Sequence, residues 1–360
     1  MLSNSTNETP LFTNTTPDER GHEPGDSQRS PAKGKPLVAT VGPVVLDTHV
    51  TYPGSVPEKG KRVCEMRCSY GGGALNTSRA IRTAGGTVAP CFIIGRDKMG
   101  EAMKDELGDE FALAQFAAGY DSSRQSHIRP DGVTDTTRPP LELHSLPPNF
   151  RDAIRNSRVT IVAPMAVADQ AFVGEALAAA RFSIWQPSLP QLLDRQSVTT
   201  LGKLASVTVM NDVEAYEVTG ESDPTRAVMA LVEKGCRGAM VTSPQGVVAR
   251  IDGEWASAPA HDISALRTSG AGDCFVGVFA WAYAARRSLD EALRLGQAAA
   301  ARHVTAQLPL VDLGQWTAWA NSQPKVSLAR RTKAPVIKVR HAMSVAVGVA
   351  AMILAMMVFR

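Results

Sequence analysis

The sequence predicts an α/β fold with a mainly parallel sheet covered by helices on both faces. Three observations carry this. From Pro36 onward, short apolar runs alternate with amphipathic stretches of about 10–15 residues, the pattern of repeated βαβ units. The 360 residues are 44% hydrophobic and 20% charged, so there is ample apolar material for a core and no low-complexity or collagen-like bias. The five cysteines (Cys64, Cys68, Cys91, Cys236, Cys274) are odd in number and scattered, which argues against a disulfide framework and for a reducing compartment.

Residues 1–35 are rich in Asn, Thr, Ser, Pro and charge and contain no apolar run. They are expected to be disordered and carry no secretory signal, so the sequons at Asn4, Asn7 and Asn14 read as composition. Pro36–Leu46, Val88–Ile94, Val159–Pro164, Phe182–Trp185, Ser206–Met210 and Gly238–Thr242 are expected as buried strands. Gly73–Ala84, Gly100–Leu107, Asp169–Ala180, Thr225–Lys234, Gly272–Ala285 and Ser288–His303 are expected as helices, the last opened by a Ser288/Glu291 capping box. Two stretches, about 48–70 and 117–145, break the alternation and are expected to lie outside the main sheet as lid segments. Cys64 and Cys68 form a lone C-x3-C with no second ligand pair, and read as strand residues because a structural zinc needs four ligands.

The formal charge of +3 conceals an uneven distribution: positions 1–324 carry 31 basic against 35 acidic residues, and the excess sits in a basic linker at 321–341. After it comes Ala342–Phe359, 18 residues without a charge. That is enough for a transmembrane tail helix, and positive-inside reasoning then places the body of the chain in the cytoplasm. A buried C-terminal helix or an oligomer contact is the alternative. The basic segment lacks interleaved aromatic residues for base stacking, so lipid headgroups explain it better than nucleic acid does.

No G-x-x-x-x-G-K-[ST] is present and no G-x-G-x-x-G follows the first strand, which excludes a P-loop and weakens a dinucleotide site. What is present is Thr268-Ser-Gly-Ala-Gly-Asp273 leading into an apolar helix. Small residues ahead of a helix let several N–H groups point at one anion, with the helix dipole adding positive potential. On spacing alone Asp273 reads equally as a helix-dipole residue or as a group beside the bound anion.

Five ordered motifs move that balance: Val41–Asp47, Gly71-Gly72-Gly73-Ala-Leu-Asn76, Gly95-Arg-Asp97-Lys-Met-Gly100, Asn211-Asp-Val-Glu214 through Gly220, and Gly270-Ala-Gly-Asp273. Together, over roughly 36–320, they resemble the ribokinase-like (PfkB) carbohydrate kinase family. The resemblance implies a three-layer α/β/α domain with a small β lid, and an ATP- and Mg²⁺-dependent kinase acting on a sugar or sugar-like alcohol. It implies Asp273 as catalytic base, and Gly270, Ala271 and Gly272 as the anion hole, with Thr242 and Gly246 on the nucleotide. It implies Asp47, Gly72, Gly73 and Asn76 on the sugar. Asn211 and Glu214 would serve Mg²⁺ indirectly through phosphate; from the residues alone they also read as a helix cap and a surface acid, and Asn76 as a buried turn residue. Relatives often dimerise through the lid, so a homodimer is an implied partner.

The sequence departs from the family pattern in three places. Arg267 stands where relatives carry an Asp that helps to hold a monovalent cation, so activity is expected not to depend on potassium. Pro244, in Val241-Thr-Ser-Pro-Gln-Gly246, lacks an N–H to offer a phosphate. The segment 126–146 is shorter than usual and leaves the substrate open. Arg267 and Pro244 keep a second reading in view, a nucleoside- or sugar-binding homologue impaired in catalysis and tethered to a membrane.

Overall fold

The computed structural model describes residues 37–52, 64–128, 134–166, 169–187, 194–264, 269–305 and 313–324. The expectations for 1–35, for the linker beyond 324, for the tail at 342–359 and for Arg267 lie outside the described residues. Among the described residues, no helix is long and apolar enough to cross a membrane.

In chain order the strands are β1 (Leu37–Pro43), β2 (Val45–Thr51), β3 (Glu65–Gly71), β4 (Thr87–Gly95), β5 (Gln115–Tyr120), β6 (Arg124–Ile128), β7 (Thr134–Thr136), β8 (Val159–Val162), β9 (Ser183–Trp185), β10 (Val207–Asn211), β11 (Ala239–Ser243), β12 (Gly246–Ile251) and β13 (Glu254–Pro259). The helices are α1 (Gly73–Thr83), α2 (Lys98–Glu110), α3 (Pro148–Asn156), α4 (Gln170–Ala179), α5 (Arg195–Leu204), α6 (Asp212–Thr219), α7 (Pro224–Glu233), α8 (Ala271–Ala284), α9 (Leu289–Val304) and α10 (Leu313–Ser322). Among the described residues, nine strands form one sheet in the order β13-β12-β11-β10-β9-β8-β1-β4-β5, and four form a second in the order β3-β2-β6-β7. The large sheet is parallel from β11 to β5; β12 and β13 add an antiparallel edge. Separate apolar clusters pack α1, α8 and α9, and α3 and α4, against it, as a sheet of near-continuous apolar strands requires.

The expected strand Pro36–Leu46 is two strands. β1 stays in the large sheet, Val44 donates its N–H to the Ile93 carbonyl (3.0 Å), and β2 then enters the small sheet. The apolar run Pro43-Val-Val-Leu46 crosses from one sheet to the other without a change in hydropathy, so the sequence carried no mark of the break. Asp47 therefore lies inside β2 rather than at the end of a main-sheet strand. The stretch 117–145 is likewise divided: β5 ends at Tyr120 on the edge of the large sheet, and only β6 and β7 join the small one. At α9, Ser288 accepts from the Glu291 N–H (3.3 Å) as expected, while the Glu291 carboxylate pairs with Arg287 (3.1 Å).

Candidate active site

Two helix N-termini meet at the centre of the site. Gly72 caps α1 at φ 99° and ψ 149°, where an added Cβ would lie 2.7 Å from the Pro43 carbonyl, so the chain turns there only as glycine. Gly270 caps α8 in the left-handed region (φ 81°), and Ala271, Gly272 and Asp273 form the first turn. The helices approach closely because Gly277, one turn beyond Asp273, lets α8 press on α1; a Cβ there would sit 2.9 Å from the Thr77 carbonyl. Packing at that distance brings Asn76, next to Thr77, within reach of Asp273, and its Nδ2 donates to Oδ2 at 2.9 Å.

Asp273 is half-buried, and burial raises its pKa to about 6, with the Asn76 hydrogen bond pulling the other way. Its Oδ1 lies 3.6 Å from where a Cβ on Gly73 would be. Gly272 is exposed, and a Cβ there would meet no heavy atom within 4 Å among the described residues, so the turn has room on its outer side. An open glycine turn ahead of a 14-residue helix suits an anion.

Asp47 approaches the same glycine triplet from the small sheet. Its Oδ2 would be 2.0 Å from a Cβ on Gly71, so that glycine makes room for the carboxylate. Gly71–Gly73 thus has Asp47 at one end and Asp273 at the other. Burial raises the Asp47 pKa and His49 lowers it. Asp47 pairs in register with Ser69 and Ser126, whose Oγ lies 3.0 Å from Thr136 Oγ1. The Asp47–Ser126 register was not visible in the sequence because β6 lies in a stretch without clear periodicity.

Asn211 and Glu214 form a capping box at α6: Asn211 Oδ1 accepts from the Glu214 N–H (2.8 Å), and Glu214 Oε2 accepts from the Asn211 N–H (2.9 Å). Burial and Asp212 raise the Glu214 pKa, with the Asn211 N–H bond opposing. Thr242 is the register partner of Asn211, which places both at the carboxyl ends of adjacent parallel strands, the edge where open α/β sheets hold ligands. Gly246 has a reason of its own to be glycine: at φ 142° a Cβ would lie 2.3 Å from the Ala258 carbonyl, and Pro244-Gln245 is the two-residue loop before it. Among the described residues, no group of three or more His, Cys, Asp or Glu could hold a metal directly.

The Gly95–Gly100 motif is a joint. A Cβ on Gly100 would lie 2.0 Å from the Gly95 carbonyl, and Asp97 accepts from the Gly100 N–H (2.8 Å), the Ser123 N–H (2.7 Å) and the Ser123 hydroxyl (2.5 Å). It ties the end of β4 to the start of β6, and so the large sheet to the small one.

A three-layer α/β/α body, with a second small sheet beside a carboxylate and a glycine turn at a helix N-terminus, defines the ribokinase-like class. Residues 145–310 match the pfkB family carbohydrate kinase domain. A ribokinase of Haemophilus influenzae is 26% identical over 265 residues, covering 66% of this chain and 81% of its own. Among solved structures, Arabidopsis thaliana ribokinase complexed with ribose and ATP superposes with a TM-score of 0.63 at 17% identity, over 80% of this chain and 99% of that one. The tetrameric inhibited form of Escherichia coli phosphofructokinase-2 does so with a TM-score of 0.63 at 20% identity, over 80% and 100%. Over residues 145–310 the chain thus carries a PfkB-family carbohydrate kinase domain, and its homologues include a ribokinase.

Proposed function

We propose that this chain transfers the γ-phosphoryl group of ATP to an alcohol group of a sugar or sugar-like substrate, with Asp273 as the base. The observation that carries the reading is the place of Asp273: a carboxylate raised to about 6, in the first turn of α8 directly after Gly270–Gly272, and held by Asn76. At neutral pH such a group is mostly ionised yet basic enough to take a proton, the condition for general-base catalysis. The acceptor hydroxyl gives its proton to Asp273, its oxygen bonds to the γ-phosphorus, and the bond to the β,γ-bridging oxygen breaks to release ADP. Backbone N–H groups of the Gly270–Gly272 turn offset the negative charge on the transferring group.

Asp47, Gly72, Gly73 and Asn76 border the acceptor, with Asp47 accepting from its hydroxyls. Thr242 and the loop ahead of Gly246 border the nucleotide. The Asn211 and Glu214 side chains are engaged in a cap, and Glu214 is pushed up by burial and Asp212, a setting that a nearby cation relieves. They fit Mg²⁺ held through water rather than by direct chelation. When bound with ATP, that ion neutralises phosphate charge.

ADP formation and acceptor phosphorylation should be measured with ATP and Mg²⁺ over pentoses, hexoses, ketodeoxy sugars and nucleosides, wild type against Asp273→Asn. Ribose is the first acceptor to try, given the ribokinase relatives. At least one acceptor is expected to be phosphorylated, with a loss of about 10²–10⁴-fold in the variant. If no acceptor shows Asp273-dependent phosphorylation, the kinase reading gives way to a binding homologue.

A further inference from the structure

We infer that His303 is a positioning residue for the α8 anion turn, holding the Ser269–Gly270 peptide so that the turn presents an N–H rather than a carbonyl. The inference rests on the kinase reading above. His303 lies in the last turn of α9, and its Nε2 is 2.7 Å from the Ser269 carbonyl oxygen. A carbonyl can only accept, so Nε2 carries the hydrogen in this contact. A Cβ on Gly270 would lie 3.2 Å from the same Nε2 and 3.5 Å from Cε1, so the ring covers the side of Gly270 where a side chain would otherwise stand.

A trans peptide points its C=O and N–H in opposite directions. Binding the Ser269 carbonyl on the His303 side therefore turns the Gly270 N–H to the opposite side. Without a Cβ, and with φ at 81°, Gly270 gives this peptide little resistance of its own to a flip. A flipped peptide would place a carbonyl dipole, negative end first, in a turn that must accommodate phosphoryl charge. The ring is carried on a fixed support, because Gly296, two turns earlier on α9, packs against Phe275 of α8; a Cβ there would lie 2.8 Å from the Phe275 ring and 3.0 Å from its carbonyl.

The test compares full-length wild type, His303→Ala and His303→Gln by amide hydrogen exchange without nucleotide and by steady-state kinetics. His303→Ala is expected to speed exchange of the Gly270–Asp273 amides about 10-fold and to lower kcat by about 10-fold or more, with the acceptor KM nearly unchanged. His303→Gln, whose side-chain amide N–H has a similar reach, is expected to restore most of both. Wild-type exchange and turnover in His303→Ala would overturn the inference, as would a Gln variant no better than the Ala variant. If wild type phosphorylates no acceptor, the kinase reading fails, while the exchange comparison still decides whether His303 holds the turn.

Discussion

Asn76 and Asp273 stand 197 positions apart in the chain and share one hydrogen bond of 2.9 Å from amide to carboxylate. The bond spans two helices that meet through the Gly277–Thr77 contact, so helix packing sets the geometry of the proposed base. Burial raises the Asp273 pKa and the Asn76 donor restrains the rise. The two effects leave a carboxylate that changes charge just below neutrality.

The acidic limb of the pH–rate profile follows from this. For the proposed reaction only ionised Asp273 can take the proton, so kcat/KM for the acceptor should climb through an apparent pKa of about 6 and level off above it. Asn76→Ala removes a donor that favours the ionised form, so its limb should move to higher pH. Profiles of both proteins at saturating ATP check this, and an unmoved limb in the variant would count against the role given to Asn76.

Folding stability should run opposite to activity at the same position. With a folded pKa of about 6 against an ordinary 3.8, Asp273 holds its proton more tightly in the native state, so its ionisation disfavours folding. Well below pH 3.8 both states are protonated and there is no penalty. The penalty grows from pH 4 to 6 and is complete above that, at most about 3 kcal/mol for a shift of about two units. Asp273→Asn should therefore be more stable than wild type in urea at pH 7.5, and nearly equal to it at pH 3.5.

The large sheet was legible because buried parallel strands are apolar throughout and the helices between them keep a helical period; β4, β8, β10 and β11 fall within a residue or two of their expected ends. The small sheet was legible only as two stretches outside the main sheet, about 48–70 and 117–145, and not strand by strand. β3 runs Glu-Met-Arg-Cys-Ser-Tyr-Gly and is exposed over Glu65–Ser69, so burial imposes no alternation on it. Helix α6 was not among the helices expected from periodicity, because its single buried residue, Ala215, gives no apolar stripe, although Asn211 also read as its cap. For the candidate site, the glycine turn ahead of an apolar helix was readable from spacing, while Asp273 was singled out only by the family resemblance. His303 was not readable, since it meets the turn through Ser269, 34 positions earlier in the chain.

The Asp97 joint should contribute to stability in a pH-dependent way. Burial alone would raise its pKa, but the hydrogen bonds from Ser123 and Gly100 outweigh that and hold it below the usual carboxylate value. A depressed folded pKa gives stability that is present above the unfolded value near 3.8 and is lost as pH falls through the folded one. Asp97→Ala should cost about 2 kcal/mol at pH 7, from the lost helix cap and the Ser123 bonds, with the difference shrinking toward pH 3. Urea titrations at the two pH values measure it.

Glu214→Gln separates the cap from the proposed Mg²⁺ role. Glutamine serves the reciprocal bond of a capping box as glutamate does. The melting temperature should therefore change little, by no more than about 0.5 kcal/mol of stability. Removing the charge should raise KM for MgATP by about 5–10-fold if the carboxylate steadies the hydrated ion. Unchanged nucleotide kinetics in a normally folded variant would leave Glu214 as a cap alone.

Gly71→Ala tests whether Asp47 serves the acceptor. The new methyl would occupy the place of the Asp47 carboxylate, 2.0 Å from Oδ2, at a residue whose own backbone is not in the left-handed region. The cheapest relief is rotation of the Asp47 side chain, since a carboxylate at the end of a side chain moves more easily than a strand does. That turns Asp47 away from the glycine triplet while Asp273 and Asn76, on α8 and α1, keep their bond. The acceptor KM should rise about 10-fold or more, as when a hydroxyl loses a charged partner, with KM for ATP and the pH limb unchanged. Asp47→Asn should give the same pattern with a smaller rise, because the amide oxygen still accepts. Steady-state kinetics with the acceptor identified in the substrate panel decide it, and an unchanged acceptor KM in both variants would remove Asp47 from the acceptor's contacts.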